Sequence, residues 1–304
     1  MLHYILRRLA LVVPTMALVL LVVFIVLRIT GDPAELFLDA TAGPAEIAAL
    51  RTRLGLDQPL PLQFARFVWD LLHGDFGTSL SHQAPALPVV VERLGPTLQL
   101  VAAALGLAVL LGIALGLVAA SFRDRLADHA ISAVAVFGQS MPSFWLGLLL
   151  IQAFALELGW LPTSGSGTAA HLILPALTLS AFLLPNFILV TRTAVLEAKR
   201  EAFATTARAK GLSPMRVLLR HVLPNALNPI ISVLGLQVGH LIAGSIVTET
   251  IFAWPGVGRL MIGSIYQRDV PIVAAAVVVV SLVIMLTNLL VDVVQAILDP
   301  RVRI

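Results

Sequence analysis

The chain has 304 residues, of which 59% are hydrophobic and only 12% are charged, and its mean hydropathy is +0.96. Soluble domains carry charge on about a quarter of their residues, so this composition indicates a membrane protein and excludes an ordinary soluble domain. The net charge of +3 does not point to a nucleic-acid partner, because basic residues collect in cytoplasmic loops of membrane proteins for topological reasons. The lack of cysteine excludes disulfides, thiolate nucleophiles and cysteine-ligated metals.

The N-terminus combines His3, Arg7 and Arg8 with an apolar run over residues 9–27, a pattern that resembles a secretory signal peptide. The run is longer than the roughly 7–15 apolar residues of a signal peptide. The nearest small-x-small cleavage site, Ala40-Thr41-Ala42, also lies well beyond it. We therefore expect an uncleaved first transmembrane helix.

A helix needs about 20 predominantly apolar residues to cross the hydrocarbon core of a bilayer. Charge-free runs of about this length occur at residues 9–27, 97–121, 130–156, 172–191, 229–248 and 270–291. The sequence therefore predicts an all-α, polytopic membrane protein with six transmembrane helices.

Lys and Arg residues concentrate at the N-terminus, in the 122–129 turn, in the 192–224 loop and in the C-terminal tail, whereas the 157–171 connection has none. By the positive-inside rule, both termini are expected in the cytoplasm. Residues 30–95 then form a long extracytoplasmic insertion, in which 45–54 and 62–72 are predicted helices. We divide the chain into residues 1–95, the first helix plus this cap, and residues 96–304, a five-helix core with the cytoplasmic loop 197–224.

Small and polar residues inside the predicted spans suggest where helices meet. Gly112-x-x-x-Gly116 and Gly235-x-x-x-Gly239 predict faces of close approach, either within the chain or against another subunit. Gln237 and His240 are candidates for lining a pathway, with helix-to-helix hydrogen bonds as the alternative.

Sequence signatures of energy-yielding or hydrolytic chemistry are missing. The only lysines, Lys199 and Lys210, lack the glycine spacing of a nucleotide-binding P-loop, and there is no His-Glu-x-x-His zinc helix. Carboxylates do not line the spans as a proton-coupled carrier would often require. We expect the chain not to be an enzyme and to depend on a partner for any uphill transport; an intramembrane protease and a stand-alone channel or carrier are the alternatives.

The 197–224 loop is rich in helix formers as far as Gly211, which together with Pro214 forms a helix-stop signal. A second helical turn is predicted from Pro214 to Arg220. Two short helices joined at a glycine hinge, lying along the membrane, would make a rigid protrusion. On composition alone, an ordinary solvated basic loop is the favoured interpretation.

The spacing within this loop resembles the Glu-Ala-Ala motif of ABC importer permeases. That motif has three residues, a three-residue gap, a glycine, nine further residues and then Ile-x-Leu-Pro; here Thr205-Thr206-Ala207, Gly211 and His221-Val-Leu-Pro224 fall on it. Thr205, Thr206 and His221 depart from the general motif. The peptide-importer branch is closer, with a loop like Thr206-Ala-Arg-Ala-Lys-Gly-Leu212 followed by a segment like Arg220-His-Val-Leu-Pro-Asn-Ala226.

The resemblance to the dipeptide and oligopeptide permeases of the DppB/OppB type runs nearly end to end. The matching segments include Tyr4-Ile-Leu-Arg-Arg8, Gly31-Asp-Pro33, Gly55-Leu-Asp-Gln-Pro-Leu60, Gly74-Asp-Phe-Gly-Thr-Ser79, Pro142-Ser-Phe-Trp-Leu-Gly147, Leu158-Gly-Trp-Leu-Pro162, Glu249-Thr-Ile-Phe-Ala-Trp-Pro-Gly-Val-Gly258 and Gln267-Arg-Asp269. The resemblance implies a type I ABC importer permease fold in the cell inner membrane. It also implies four kinds of partner: a second permease subunit, two ATPase subunits that use ATP and Mg, a solute-binding protein outside, and membrane lipid. No cofactor is expected in this chain.

The resemblance also implies site residues. The helix around 202–211 corresponds to the coupling helix, and the candidate ATPase-docking residues are Glu201, Ala202, Thr205, Thr206, Ala207, Arg208, Ala209, Lys210, Gly211, Leu212, Ser213 and Pro224. The candidate pathway or gate residues are Gln237, His240, Glu249, Trp254, Pro255 and Gly256. An interfacial anchor with a re-entrant turn is the alternative for the last four.

The implied function is that of the membrane subunit of an ATP-driven importer of di- or oligopeptides. The same machine importing nickel chelates, glutathione or oligosaccharides is the alternative. The sequence does not show whether the second permease is a related chain or a copy of this one.

Overall fold

The computed structural model describes residues 2–30, 43, 45–46, 49, 51–52 and 56–298. This part of the chain is predominantly helical, as expected from the sequence. Its helices are α1 (Leu2–Thr30), α2 (Leu60–Leu72), α3 (Ala86–Ser121), α4 (Leu126–Ser140), α5 (Ser143–Leu150), α6 (Ala169–Ala198), α7 (Ala202–Ala209), α8 (Pro214–Val217), α9 (Leu223–Ile251), α10 (Val257–Tyr266) and α11 (Val270–Leu298). Two stretches of π-helix, Ile151–Glu157 and Leu218–Val222, follow α5 and α8.

Each of the six predicted apolar runs falls on a helix or on a pair of helices. Among the described residues, four helical stretches are long and apolar enough to cross a membrane: Ala86–Ser121, Ala169–Ala198, Pro214–Leu234 and Val270–Val291. The bent pair formed by Leu126–Ser140 and Ser143–Glu157 is a fifth candidate, and Ala10–Val26 in α1 is a shorter apolar helix. The all-α membrane fold is therefore confirmed.

The third predicted run, residues 130–156, is not one straight helix. The chain bends by 107° between α4 and the helical stretch that follows. Met141 is extended, with φ −82° and ψ 135°, because the ring of Pro142 disfavours a helical conformation in the preceding residue. Pro142 also lacks the N–H that would continue the helical hydrogen bonds. One helix therefore ends before Pro142 and another begins after it.

The second short helix predicted in the 197–224 loop is instead the beginning of a long one. Backbone angles remain helical from α8 through Leu218–Val222 into α9. The π-helical stretch lies just before Pro224, whose ring would clash with the carbonyl of Arg220 in a regular α-helix. The wider π turn accommodates this proline without breaking the helix.

The chain divides into two compact units. The large unit contains residues 96–255 and the chain from 286 onward, and the small unit contains residues 2–95 and 256–285. The predicted functional division at residue 95, between a first helix with its cap and a transporter core, stays a prediction.

Within the small unit, an apolar cluster joins the start of α3 to α10 and α11. Its fully buried members are Ala86, Val90, Val257, Ile272, Ala275 and Ala276. Elsewhere in this unit Phe24 of α1 contacts Phe64 and Phe67 of α2, with ring centroids 5.4 and 5.7 Å apart.

The predicted cap helices have different outcomes. The helix expected at 62–72 is confirmed as α2, Leu60–Leu72. Much of the one expected at 45–54 lies outside the described residues, as does Gly55; residues 45, 46, 49, 51 and 52 are helical.

Within the large unit, Gly112 and Gly116 of α3 lie against α6. A Cβ atom at Gly112 would collide with Phe187, and one at Gly116 would lie 2.6 Å from Cβ of Thr191. These distances are shorter than real Cβ contacts, so α3 and α6 approach this closely only because both positions are glycine. Internal packing is confirmed for this pair of glycines. The surroundings of Gly235 are not described, so close packing at the other predicted glycine face stays a prediction.

Candidate functional site

Helix α7 has only eight residues, too few to be stable alone in water, so neighbouring residues must hold it. Ala204 and Ala207 are buried, and they belong to an apolar cluster that includes Val195 of α6, Val217 of α8 and Val222. Positions 204 and 207 are three apart and share one helix face. That face fixes α7 to the ends of the long helices on either side of it.

The end of α7 is a Schellman motif. Gly211 has φ +77°, its N–H donates to the Arg208 carbonyl (2.9 Å), and the Leu212 N–H donates to the Ala207 carbonyl (3.3 Å). Glycine adopts this left-handed conformation without the penalty of a Cβ atom. The predicted helix stop at Gly211 is thus confirmed.

The opposite face of α7 is exposed. Of the predicted docking residues, Ala207 is buried and Leu212 is half-buried, and α7 presents Thr205, Thr206 and Arg208 to the surroundings. The remaining exposed members are Glu201, Ala202, Ala209, Lys210, Gly211 and Ser213. Pro224 is also exposed, but it lies in the second position of α9 and not on α7.

Two basic residues connect α7 to the ends of α3 and α6. Arg208 donates from Nη2 to the Lys199 carbonyl, and Lys199 donates from Nζ to the Ala120 carbonyl at 3.0 Å. Burial, and to a lesser extent the positive charge of Arg208, lowers the pKa of the Lys199 ammonium. The free carbonyls at two helix ends are thereby satisfied by cations, which also suit the negative end of a helix dipole.

An ion pair missed by sequence reasoning holds α4 against α6. Arg192 donates from Nε and Nη2 to the two carboxylate oxygens of Asp128, both at 2.7 Å. Asp128 also accepts a hydrogen bond from the N–H of Asp124 at 3.0 Å and is 1% exposed. An acidic residue near the start of an apolar run is a possible signal, but the charge pattern predicts for Arg192 only a topological role.

The pathway candidates Gln237 and His240 lie on α9, where Gln237 is half-buried and His240 is exposed. His240 belongs to a stripe of exposed residues on one face of α9, which are three or four positions apart except for the eight between Ser232 and His240. The polar members of this stripe, named here the α9 stripe, are Asn225, Asn228, Ser232, His240 and Thr250. An exposed polar stripe is unusual on a membrane helix, because lipid chains offer no hydrogen bonds.

The predicted gate residues Glu249 and Trp254 are buried, at 0% and 3% exposure. Thr97 Oγ1 donates to Glu249 Oε1 at 2.7 Å, and Ser245 Oγ donates to the same oxygen at 3.2 Å. Trp254 Nε1 donates to the Pro96 carbonyl at 2.9 Å. These bonds connect the end of α9 to α3, and no sequence motif predicts the α3 partners.

Pro255 and Gly256, the other two gate candidates, follow directly; Pro255 is half-buried and Gly256 is buried. Three of the four gate candidates are therefore buried, and Pro255 is half-buried. Whether this segment opens during transport stays a prediction.

A second polar cluster, also missed, lies in the small unit. Ser79 Oγ and Ser81 Oγ each donate to Asp269 Oδ2 at 2.5 Å, and the Ser81 N–H donates to it at 3.1 Å. Burial alone would raise the pKa of Asp269, but these hydrogen bonds outweigh it and hold the pKa of the carboxyl below its ordinary value. The cluster fixes the 74–85 segment to the start of α11.

Comparison with known proteins places these elements in a family. Residues 112–304 match the model of the binding-protein-dependent transport system inner membrane component, and residues 1–111 match the N-terminal model of the same component. The glutathione transport system permease protein GsiC of Salmonella paratyphi A is 43% identical over 304 residues, covering 100% of this chain and 99% of the relative. GsiC of Escherichia coli K12 is 42% identical with the same coverage.

Solved structures share the fold. Two inward-facing structures of the MetNI methionine ABC transporter match with TM-scores of 0.57 and 0.60, at 18% identity, covering 69% of this chain and 96% of theirs. The helical core thus has the fold of a type I ABC importer permease. The family that the chain matches is a transport component, so the protein is a transporter subunit and not an enzyme. The chain belongs to the binding-protein-dependent inner membrane components, the multi-pass permease subunits of ABC importers.

Proposed function

We propose that this chain forms the transmembrane pathway of an ABC importer for short peptides, with glutathione as the first solute to test. The observation that carries the choice is full-length similarity, at 42–43% identity, to relatives named as glutathione transport permeases. Glutathione is itself a tripeptide, so this choice narrows the peptide class expected from the motifs. Nickel chelates and oligosaccharides are the competing solutes.

The α9 stripe supports a pathway for such a solute. Its exposed polar members carry amide, hydroxyl and imidazole groups and no ionised side chain. Asn225, Ser232 and Thr250 donate to backbone carbonyls four residues earlier, and their side-chain oxygens are acceptors. The backbone N–H and C=O groups of a peptide need hydrogen-bond partners, and the side chains of the α9 stripe can provide them. Because none of these side chains is ionised, they would not bind a charged solute so tightly that its release is slow. The same face would meet the second permease subunit where the pathway closes.

The exposed face of α7 supports docking to an ATPase subunit. Thr205 and Thr206 are exposed, while Ala204 and Ala207 fix the helix to α6 and α8. A helix fixed on one side and exposed on the other transmits a displacement from a partner to the membrane helices better than a loose loop does. In this arrangement α7, both termini and the ATPases lie on the cytoplasmic side.

Uptake by the reconstituted complex tests the solute. Proteoliposomes containing this chain, its second permease, the ATPases and ATP, with binding protein outside, should accumulate labelled glutathione. An excess of an unlabelled di- or tripeptide should compete better than a nickel chelate or an oligosaccharide. If only a nickel chelate or an oligosaccharide competed, and the peptides did not, the proposed solute would be wrong.

A matched pair of variants tests the pathway. His240→Leu should reduce glutathione uptake severalfold, because it removes a hydrogen-bonding group from the α9 stripe. Leu110→Ala, at an α3 position that is 71% exposed and apolar, should leave uptake nearly unchanged. If the two changes reduced uptake equally, the hypothesis that the α9 stripe lines the pathway would be contradicted.

Cross-linking tests the docking and the orientation together. Since the chain has no cysteine, Thr206→Cys and Ser164→Cys each create a single thiol at an exposed position. Thr206→Cys should cross-link to the ATPase and react with reagents only from the cytoplasmic side. Ser164→Cys should react only from outside; a cross-link from it to the ATPase would contradict the topology.

A further inference from the structure

A cleft of about 410 Å³ opens beside α7. Its lining includes the basic residues Lys199 and Arg208 and the apolar residues Met215, Leu218 and Val222, together with Ser121. The cleft therefore combines positive charge with apolar surface. All of these residues belong to the large unit, so the cleft is enclosed within one unit.

Within the part of the chain that the structure describes, the two cations of the cleft have no acidic partner. Among the described residues, no carboxylate lies within ion-pair distance of Lys199 or Arg208, whose hydrogen bonds go to backbone carbonyls. An ammonium has three donors and a guanidinium has five, so both groups retain N–H donors for a ligand. Charge complementarity therefore requires an anion, and a phosphate between the two cations would relieve their mutual repulsion.

The position of the cleft identifies the source of that anion. Ser121 is the last residue of α3 and Lys199 directly follows α6, and both helices are long and apolar enough to cross a membrane. The ends of spanning helices lie at the level of lipid headgroups. Met215 is 64% exposed and the neighbouring Leu219 is 50% exposed, so an apolar surface continues outward from the cleft.

We propose that this cleft binds an anionic membrane phospholipid, with the phosphate between Lys199 and Arg208 and an acyl chain along Met215, Leu218 and Leu219. A free phosphate would use only the cations, whereas a lipid uses both the cations and the apolar residues that line the cleft. Because Arg208 belongs to α7, the bound lipid would link this helix to the membrane surface. The site is independent of the solute that the protein transports and goes beyond its proposed function.

Photolabelling of the assembled complex tests the proposal. The complex is placed in phosphatidylcholine nanodiscs that contain, in trace amount, either photoactivatable phosphatidylglycerol or phosphatidylcholine with the same acyl chains. Mass spectrometry then measures the label on residues 214–222. Since nanodiscs carry the probe in both leaflets, the result does not depend on the orientation of the chain.

Phosphatidylglycerol should label this segment severalfold more than phosphatidylcholine. Each basic residue near an anionic lipid surface contributes up to about fivefold, so Lys199→Gln with Arg208→Gln should remove most of this preference and bring the labelling ratio of the two lipids close to one. The charge-retaining pair, Lys199→Arg with Arg208→Lys, should restore most of it. The matched control, Arg216→Gln with Arg220→Gln, removes the same charge from exposed positions that do not line the cleft and should retain the preference.

Four results would each overturn the proposal. Equal labelling by the two lipids would remove the headgroup specificity, and an equal loss in the control would indicate a diffuse basic surface. Competition by millimolar inorganic phosphate would indicate a site for a free anion. Unchanged lipid labelling with release of the ATPase from the Lys199→Gln/Arg208→Gln complex would assign the two cations to a carboxylate of that partner.

Discussion

Replacing Asp128 by asparagine should destabilise the large unit by about 3 kcal/mol, because it leaves the Arg192 guanidinium without its carboxylate. Breaking a buried ion pair by removing one partner costs about 3–5 kcal/mol. The side chain of Asp128 is 2% exposed but that of Arg192 is 26% exposed, so water partly compensates the remaining cation. This exposure places the expected loss at the lower end of that range. Since the pair holds α4 against α6, the effect concerns helix packing and not insertion.

A double-mutant cycle measures this interaction. The free energy of unfolding is determined in a mild detergent for wild type, Asp128→Asn, Arg192→Gln and the double variant. A coupling energy of about 2–3 kcal/mol is expected, since both bonds of the fork join the same two groups. The matched control is Asp124→Asn: Asp124 is paired with Arg123, its side chain is 70% exposed, and such surface pairs contribute less than about 1 kcal/mol.

The reasoning fails if Asp128→Asn costs no more than Asp124→Asn. It also fails if the effects of Asp128→Asn and Arg192→Gln simply add, because two independent residues would then have been mistaken for a pair. A loss of insertion in the membrane would instead assign Asp128 a role in biogenesis.

Three further changes test other contacts. Gly112→Leu should prevent the close packing of α3 on α6 and lower the thermal midpoint, whereas Gly106→Leu, where no atom lies within 4 Å of the added Cβ, should not. Trp254→Phe keeps the buried ring but loses the hydrogen bond to the Pro96 carbonyl and should cost about 1 kcal/mol of unfolding free energy. The lowered pKa of Asp269 implies stabilisation that is present above the ordinary carboxyl pKa of about 3.9 and is lost as the pH falls through the lower folded value. Asp269→Asn should remove that part of the pH dependence of unfolding, and an unchanged profile would contradict the role given to the carboxylate.

Local features of the fold were readable from the sequence. Apolar runs located the membrane helices, since their length is set by the bilayer. The helix stop at Gly211 followed from the backbone freedom of glycine. Less was readable at prolines: Pro142 separates two helices bent by 107°, whereas the helix continues through Pro224 after a π turn. A proline predicts a local disturbance of the helix, but the sequence does not show whether the backbone responds with an extended residue, as at Met141, or with a π turn, as before Pro224.

The contacts that build the candidate site were mostly not readable. Asp128 and Arg192 are 64 residues apart, and Ser79 and Asp269 are 190 residues apart. Thr97 and Glu249 meet over a separation of 152 residues. A single sequence gives the residue type at each position but not which distant polar groups will be buried together. Sequence motifs did identify α7 as a candidate docking helix, but only the structure showed that Ala204 and Ala207 fix it.

ATP-dependent uptake into proteoliposomes tests most directly whether this chain works only as the membrane subunit of an ATP-driven importer. Labelled glutathione is supplied to vesicles with the complete complex and its binding protein, with and without ATP inside, and to vesicles with this chain alone. Accumulation is expected only with the complete complex and ATP. Flux through the chain alone, or through the complex without ATP, would contradict the account and indicate a channel or carrier.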